Sequence, residues 1–275
     1  MQGFSGLVLH SWSLDATPLA RFLSVARDSG WDAVELRRVD FLRARESGMD
    51  DRAVLRTIRE AKISVACIGV EPGWMWAEGA ERTRLLEGFR EACSWAVALD
   101  CPRLMSTVDI GRVGPRAQAV ASLKEVGDLA AAANLVFAFE FSSQSVQVNS
   151  LERATDIVRA AAHPACGLLL DAYHLTRSGA SLQEIAEVPA SDVTYVQFSD
   201  VPRDGLIAGM TLDRLPPGEG RVPFAEVFAA ILETGYRGPI SYEAPNPAAW
   251  SQAPENVARE ALAATRRFVT PAAGA

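Results

Sequence analysis

Four apolar runs in the C-terminal half of the chain each carry, at or near their end, a side chain that can bind a cation or move a proton. Leu135-Val136-Phe137-Ala138-Phe139-Glu140-Phe141 holds Glu140, and Gly167-Leu168-Leu169-Leu170-Asp171 ends in Asp171. Thr194-Tyr195-Val196-Gln197-Phe198 holds Gln197, and Pro239-Ile240-Ser241-Tyr242-Glu243 ends in Glu243. A carboxylate flanked by Phe139 and Phe141 is costly to bury unless its charge is compensated. If Glu140, Asp171 and Glu243 converge, three negative charges repel one another unless a cation lies between them. One divalent ion meets that need, and Gln197 supplies a fourth oxygen. An all-oxygen set favours a hard cation, Mn²⁺ or Mg²⁺ ahead of Co²⁺ or Zn²⁺. The plainer alternative pairs each carboxylate locally with an arginine or lysine, and four successive runs of one design argue against it.

Those side chains act together only if their runs lie side by side. The runs belong to a pattern that repeats along the whole chain: a short β-prone apolar run, then a longer segment of helical periodicity. Strands are expected at 6–10, 33–36, 64–69, 103–106, 135–141, 166–171, 193–198 and 239–243. Several are apolar throughout, as in a parallel sheet covered by helices. Thr17-Pro18 reads as a helix start with proline in the first helical position, and Gly30 as its stop. Further helices are expected at 83–99, 115–133, 222–234 (ended by Gly235) and 255–268. Eight such units without a composition break predict a single-domain (β/α)8 TIM barrel over residues 1–270, with a frayed Ala/Gly tail at 271–275. The competing doubly wound sheet would carry a glycine-rich phosphate turn, and neither G-x-G-x-x-G nor G-x-x-x-x-G-K-[ST] occurs.

Composition narrows the function classes. The chain has 275 residues, 49 % of them hydrophobic, and a net charge of −7. The acidic balance disfavours a nucleic-acid partner. No apolar run approaches the roughly 18 residues of a membrane span. The first residues lack a basic region, an apolar stretch and a small-residue cleavage site, so no signal peptide is expected. The four cysteines show no C-x-x-C spacing and read as buried thiols of a cytoplasmic protein.

The chain resembles the xylose isomerase-like TIM-barrel superfamily, the sugar phosphate isomerase/epimerase family, over nearly its whole length. The resemblance is strongest at 137–141, 171–174, 196–200 and 217–243. It implies that Glu140, Asp171, Gln197 and Glu243 hold one metal ion. Asp171-Ala172-Tyr173-His174 resembles the family's D-x-x-H, which implies that His174 contacts a substrate oxygen. Arg214-Leu215-Pro216-Pro217-Gly218-Glu219-Gly220-Arg221 resembles the R-x-x-P-G-x-G loop, which implies that Arg214 reaches substrate. Gln197 stands where many ketohexose epimerases carry histidine, a variant resembling hydroxypyruvate-type isomerases and some dehydratases. The N-R-F-E segment of the ketohexose epimerases is absent after Glu140. Apurinic endonucleases share the fold, but there the resemblance implies a histidine-rich three-metal cluster, and this chain has 3 histidines. Family analogy also implies a homodimer or homotetramer.

A metal beside two glutamates suits proton abstraction next to a metal-bound carbonyl, through an enediolate. Glu140 and Glu243 are the expected acid–base pair. Return of the proton to a neighbouring carbon makes the protein an isomerase; return to the opposite face makes it an epimerase of a small polyhydroxy carbonyl compound. Loss of a β-hydroxyl instead makes it a lyase, a dehydratase of a keto-cyclitol such as an inosose or of a 3-dehydroshikimate-like compound. His10, Trp12, Glu35 and Glu71, at or just past the early strands, are further candidates for substrate contact. For Glu35 the alternative is an ion pair with Arg37 or Arg38. Trp74 and Trp76 are candidates to shield the site or to face another subunit. Asp109 reads as a supporting or solvated group, Asp200 and Arg203 as substrate contacts or as a pair, and His163 as a surface residue.

Overall fold

The computed structural model describes residues 3–269. Eight parallel strands pair in sequence order, and the last closes on the first. They are Leu7–His10 (β1), Ala33–Arg37 (β2), Ser64–Gly69 (β3), Arg103–Thr107 (β4), Val136–Glu140 (β5), Cys166–Asp171 (β6), Val193–Phe198 (β7) and Ile240–Tyr242 (β8). Helices cover the outside, and the architecture is the (β/α)8 TIM barrel that the strand–helix repeat predicts. The tail expected to fray at 271–275 lies outside the described residues.

Local signals account for many of the helix ends. Asp50, Ser150 and Ser181 each accept a first-turn backbone N–H, from Ala53, Arg153 and Glu184. Such side chains satisfy donors that a helix leaves without partners. Gly30 stops the first α-helix, Leu19–Ser29, in the left-handed region at φ 90°. The start of that helix differs from expectation: Pro18 takes the capping position itself, and no side chain caps it.

Strand alternation explains how a glutamate survives between phenylalanines. Successive side chains of a strand point to opposite faces. Phe137 and Phe139 therefore pack outward under the helices, fully buried, while Ala138 and Glu140 point into the barrel. Cys67, Met105, Ala138, Leu169 and Tyr195 fill the barrel interior. Each outward phenylalanine contributes roughly 1.5–3 kcal/mol by burial. Trp74 joins this outer layer, 5.5 Å edge-on to Phe137, with its indole N–H donating to Ser106 Oγ at 3.0 Å. Trp76 is buried as well, and its N–H donates to the Pro115 carbonyl. Both tryptophans are thus packing residues and not a shield over the site.

The β2–β3 ladder slips between Val34 and Glu35. Ala66 is left without an opposite residue, and Glu35 comes level with Cys67. Bulges of this kind re-aim a side chain. The four cysteines are buried free thiols. No described helix is long and apolar enough to cross a membrane.

Candidate active site

The C-terminal ends of the last four strands meet at the barrel mouth. Glu140 closes β5, Asp171 closes β6, Gln197 is next to last in β7, and Glu243 follows β8. Asp171 stands opposite Gln197 in the ladder, and the Glu243 N–H donates to the Phe198 carbonyl at 3.1 Å. All four side chains are buried: Glu140 is 4 % exposed, Asp171 and Gln197 0 %, and Glu243 6 %. Burial pushes the Glu140 carboxyl well above the usual range, and the charges of Glu243 and Asp171 add to that. Burial also raises Glu243, against the pull of Arg214.

Arg214 is the guanidinium nearest these acids. Its Nη1 donates to Asp171 Oδ2 at 2.7 Å, to Glu243 Oε2 at 2.9 Å and to the Glu243 carbonyl at 3.3 Å. Its Cζ lies 4.3 Å over the Tyr173 ring. With all three carboxylates ionised, one guanidinium leaves a surplus of negative charge. The two nearby histidines do not remove it. His10 is held neutral chiefly by burial, and Arg37 and Arg214 reinforce this. The same holds for His174, with Arg214 and Arg177 adding to burial.

The ring orientations follow from hydrogen bonds. His10 Nδ1 accepts from the Trp12 backbone N–H at 3.0 Å, so the neutral ring carries its proton on Nε2. That nitrogen lies 3.3 Å from Glu243 Oε1 and 3.6 Å from Glu35 Oε1. Two donors compete for the lone pair of His174: the Ser143 N–H at Nδ1 and Arg214 Nη2 at Nε2, each at 3.2 Å. A neutral ring satisfies one at a time.

The donor set fits a divalent cation. Glu140 Oε1 and Gln197 Oε1 are buried oxygens without a protein partner, a condition that is costly unless something binds them. Glu140, Asp171 and His174 place one ligand-capable atom each within 4.8 Å of one another. His174, assigned to substrate by its motif, therefore also belongs to a group that could hold an ion. Glu243 is drawn toward Arg214 and His10, and Gln197 is tied at its nitrogen to Glu35.

A cavity of about 430 Å³ opens above these groups. His10, Trp12, Glu71, Glu140, His174, Arg214 and Glu243 line it. Glu35 does not; it lies beneath, 0 % exposed, and pairs with neither Arg37 nor Arg38. Burial raises the Glu35 carboxyl to about 8, although the Ser241 hydroxyl pulls it down. Glu71 is taken by Arg38, which also binds Glu91. Arg37 lines the wall and is held by Asp15 at 2.6 Å and Asp40 at 2.8 Å. Asp109 lines the cavity and accepts the Gly111 and Arg112 N–H groups. His163 is half-buried and pairs with Asp128 at 3.1 Å, so it is not a free surface residue.

Asp200 has a role that the sequence left open. It is fully buried, and its carboxylate accepts four backbone N–H groups, from Val201, Gly218, Gly220 and Val222, at 2.7–2.9 Å. Its own backbone bridges to Leu215. Arg214, next in the chain, is thereby turned into the barrel. Arg203 is exposed and is not the partner of Asp200. The signal for this was an acid just past β7 followed by a glycine-rich segment, but only the fold joins the two.

Residues 23–268 match the family model described as xylose isomerase-like TIM barrel. The 3-dehydroshikimate dehydratase of Pseudomonas putida is 28 % identical over 241 residues, which is 84 % of this chain and 36 % of that protein. The chain thus spans about a third of that relative's length. The inosose isomerase of Halalkalibacterium halodurans is 23 % identical over 94 % of each chain. Among solved structures, the IOLI protein with a bound zinc atom superposes with a TM-score of 0.88 at 19 % identity, covering 96 % of this chain and 98 % of that one.

Proposed function

The chain belongs to the xylose isomerase-like TIM barrel family, and from that premise we propose that it is a divalent-metal-dependent isomerase or epimerase of a small polyhydroxy carbonyl compound. One observation carries the reading: three buried carboxylates and an amide converge at the barrel mouth, two of their oxygens lack protein partners, and one guanidinium cannot balance the charge. Glu140, Asp171, Gln197 and Glu243 would hold the ion, with His174 within reach. When bound, the ion supplies Lewis-acid polarisation of a substrate carbonyl and its neighbouring hydroxyl. The zinc of the IOLI protein supports a divalent ion here, and the oxygen-rich donor set favours Mn²⁺ or Mg²⁺.

The chain's own residues do the rest. The Glu140 oxygen that the ion does not engage would take the proton from the carbon next to the carbonyl. Glu243 stands between Arg214 and the N–H of His10 and returns a proton from the other side. Arg214 and His174 orient substrate oxygens, and Trp12 closes one wall of the cavity. Free buried cysteines support a reducing, cytoplasmic setting.

A second reading is loss of a β-hydroxyl after the same proton abstraction, which would make the protein a lyase. The likeness to the Pseudomonas putida dehydratase across 84 % of this chain favours it. A single experiment separates these outcomes. Protein loaded with Mn²⁺ is mixed with ketoses, inososes, hydroxypyruvate-like acids and 3-dehydroshikimate in D₂O. Deuterium uptake with an isomeric or epimeric product supports the first reading, and a dehydrated product supports the second. No deuterium uptake or product from any of them, with Mn²⁺ bound, overturns both.

A further inference from the structure

The amide of Gln197 is backed by a carboxyl group that lies below the substrate cavity. Gln197 Nε2 donates to Glu35 Oε1 at 2.9 Å, and Gln197 Oε1 is left buried and without a partner. Glu35 is fully buried, and the cavity above does not reach it. Its place is set by the sheet: it sits beside His10 in the β1–β2 ladder, and the register slip brings it level with Cys67. Tyr195 and Ser241 surround it with hydroxyls.

A glutamine amide has two ends of nearly equal shape and opposite chemistry. The oxygen binds cations, while the nitrogen carries donors that a cation repels. Whatever stands behind the amide therefore decides which end faces the site. A residue at position 35 without an acceptor would leave a buried N–H unpaired, or let the amide turn over.

We propose that Glu35 is a positioning residue for Gln197: by accepting the amide N–H it keeps the Gln197 oxygen free for the divalent ion. This rests on the four-residue metal site proposed above. Glu35 lies outside the cavity lining and would touch neither substrate nor ion. It acts through the ligand it orients, as outer groups do at metal sites.

The test is Mn²⁺ affinity, read as free Mn²⁺ by electron paramagnetic resonance during titration of metal-free protein. Glu35→Leu should weaken binding by about tenfold or more, the range seen when such outer partners are removed. Glu35→Gln keeps an acceptor oxygen and should stay within about threefold of wild type. In a Gln197→Ala background, Glu35→Leu should change nothing further, because no amide remains to orient. Wild-type affinity in Glu35→Leu overturns the proposal. So does an equal loss with and without Gln197, which would mark a general structural effect. If Gln197→Ala itself binds Mn²⁺ as tightly as wild type, the metal site falls, and the role of Glu35 with it. Should Glu35→Leu not fold, Glu35→Ala is titrated in its place and judged by the same outcomes.

Discussion

Nη1 of Arg214 lies 2.7 Å from Oδ2 of Asp171, inside the group of carboxylates proposed to share a cation. A cation bound there would therefore compensate the same negative charge as the guanidinium. Removing one partner of a buried ion pair costs about 3–5 kcal/mol because the other charge is left uncompensated. Arg214→Leu should lower the stability of the metal-free protein by an amount of that order. Saturating Mn²⁺ should then stabilise the variant more than it stabilises wild type. Urea melts with and without Mn²⁺ measure both quantities, and an equal gain in the two proteins would contradict the shared-charge picture.

The glutamates are expected to matter twice. Glu140→Gln/Glu243→Gln should bring bound metal from about one equivalent per chain to well below it, by elemental analysis. Glu140→Gln alone removes the group assigned to the first proton transfer, and turnover should fall by about 10²–10⁴-fold. Deuterium wash-in to recovered substrate should fall by the same factor, since exchange reports that step directly.

Asp200 holds the segment that carries Arg214. Asp200→Ala would leave four backbone N–H groups without their acceptor, three of them buried, and each buried loss costs roughly 1–3 kcal/mol before relaxation. The variant should melt far below wild type. Gly220→Ala tests the same loop more locally: a Cβ there would lie 2.1 Å from the Val201 carbonyl oxygen. That contact forces the backbone to move, so stability should drop and KM should rise as Arg214 shifts. Unchanged melting of both variants would show that the loop tolerates a different anchor.

Asp15 links the acid limb of stability to the cavity wall. Burial pushes its carboxyl up, but hydrogen bonds from Arg43 and Arg37 outweigh this and hold it below its ordinary 3.8. A depressed folded-state pKa contributes stability above the unfolded value and loses it as pH falls through the folded one. Asp15→Asn should therefore cost about 1 kcal/mol or less near neutrality, given its partial exposure. The difference from wild type should shrink as the pH falls below the ordinary carboxylate range. A constant difference at every pH would point to lost packing rather than lost charge.

The alternation of apolar runs and helical segments was enough to place all eight strands, because a short β-prone apolar run and a 3.6-residue period are local properties of the chain. The helix Arg38–Glu46 was harder to read, since it is rich in charged residues and offers few apolar positions to mark a face, whereas Asp51–Glu60, also absent from the expected helices, does present a buried face in Val54 and Ile58. Closure of the barrel followed from the number of repeats, and with it the meeting of Glu140, Asp171, Gln197 and Glu243 at one end. The partners of those side chains were not legible. Gln197 and Glu35 are 162 residues apart, and Arg214 and Asp171 are 43 apart. Trp74 and Trp76 look alike in sequence to residues that cap a site, yet they face the helices.

What the sequence determined alone is therefore the architecture and the set of acids at its mouth, because strand period and strand order are written in neighbouring residues. What only the tertiary structure decided is which charge balances which. That Arg214 meets Asp171 follows from the loop that Asp200 binds, and that the Gln197 nitrogen meets Glu35 follows from closure of the barrel. Such pairings are set by sheet register and loop closure, which bring distant residues within hydrogen-bonding distance and leave no mark in the spacing of either partner.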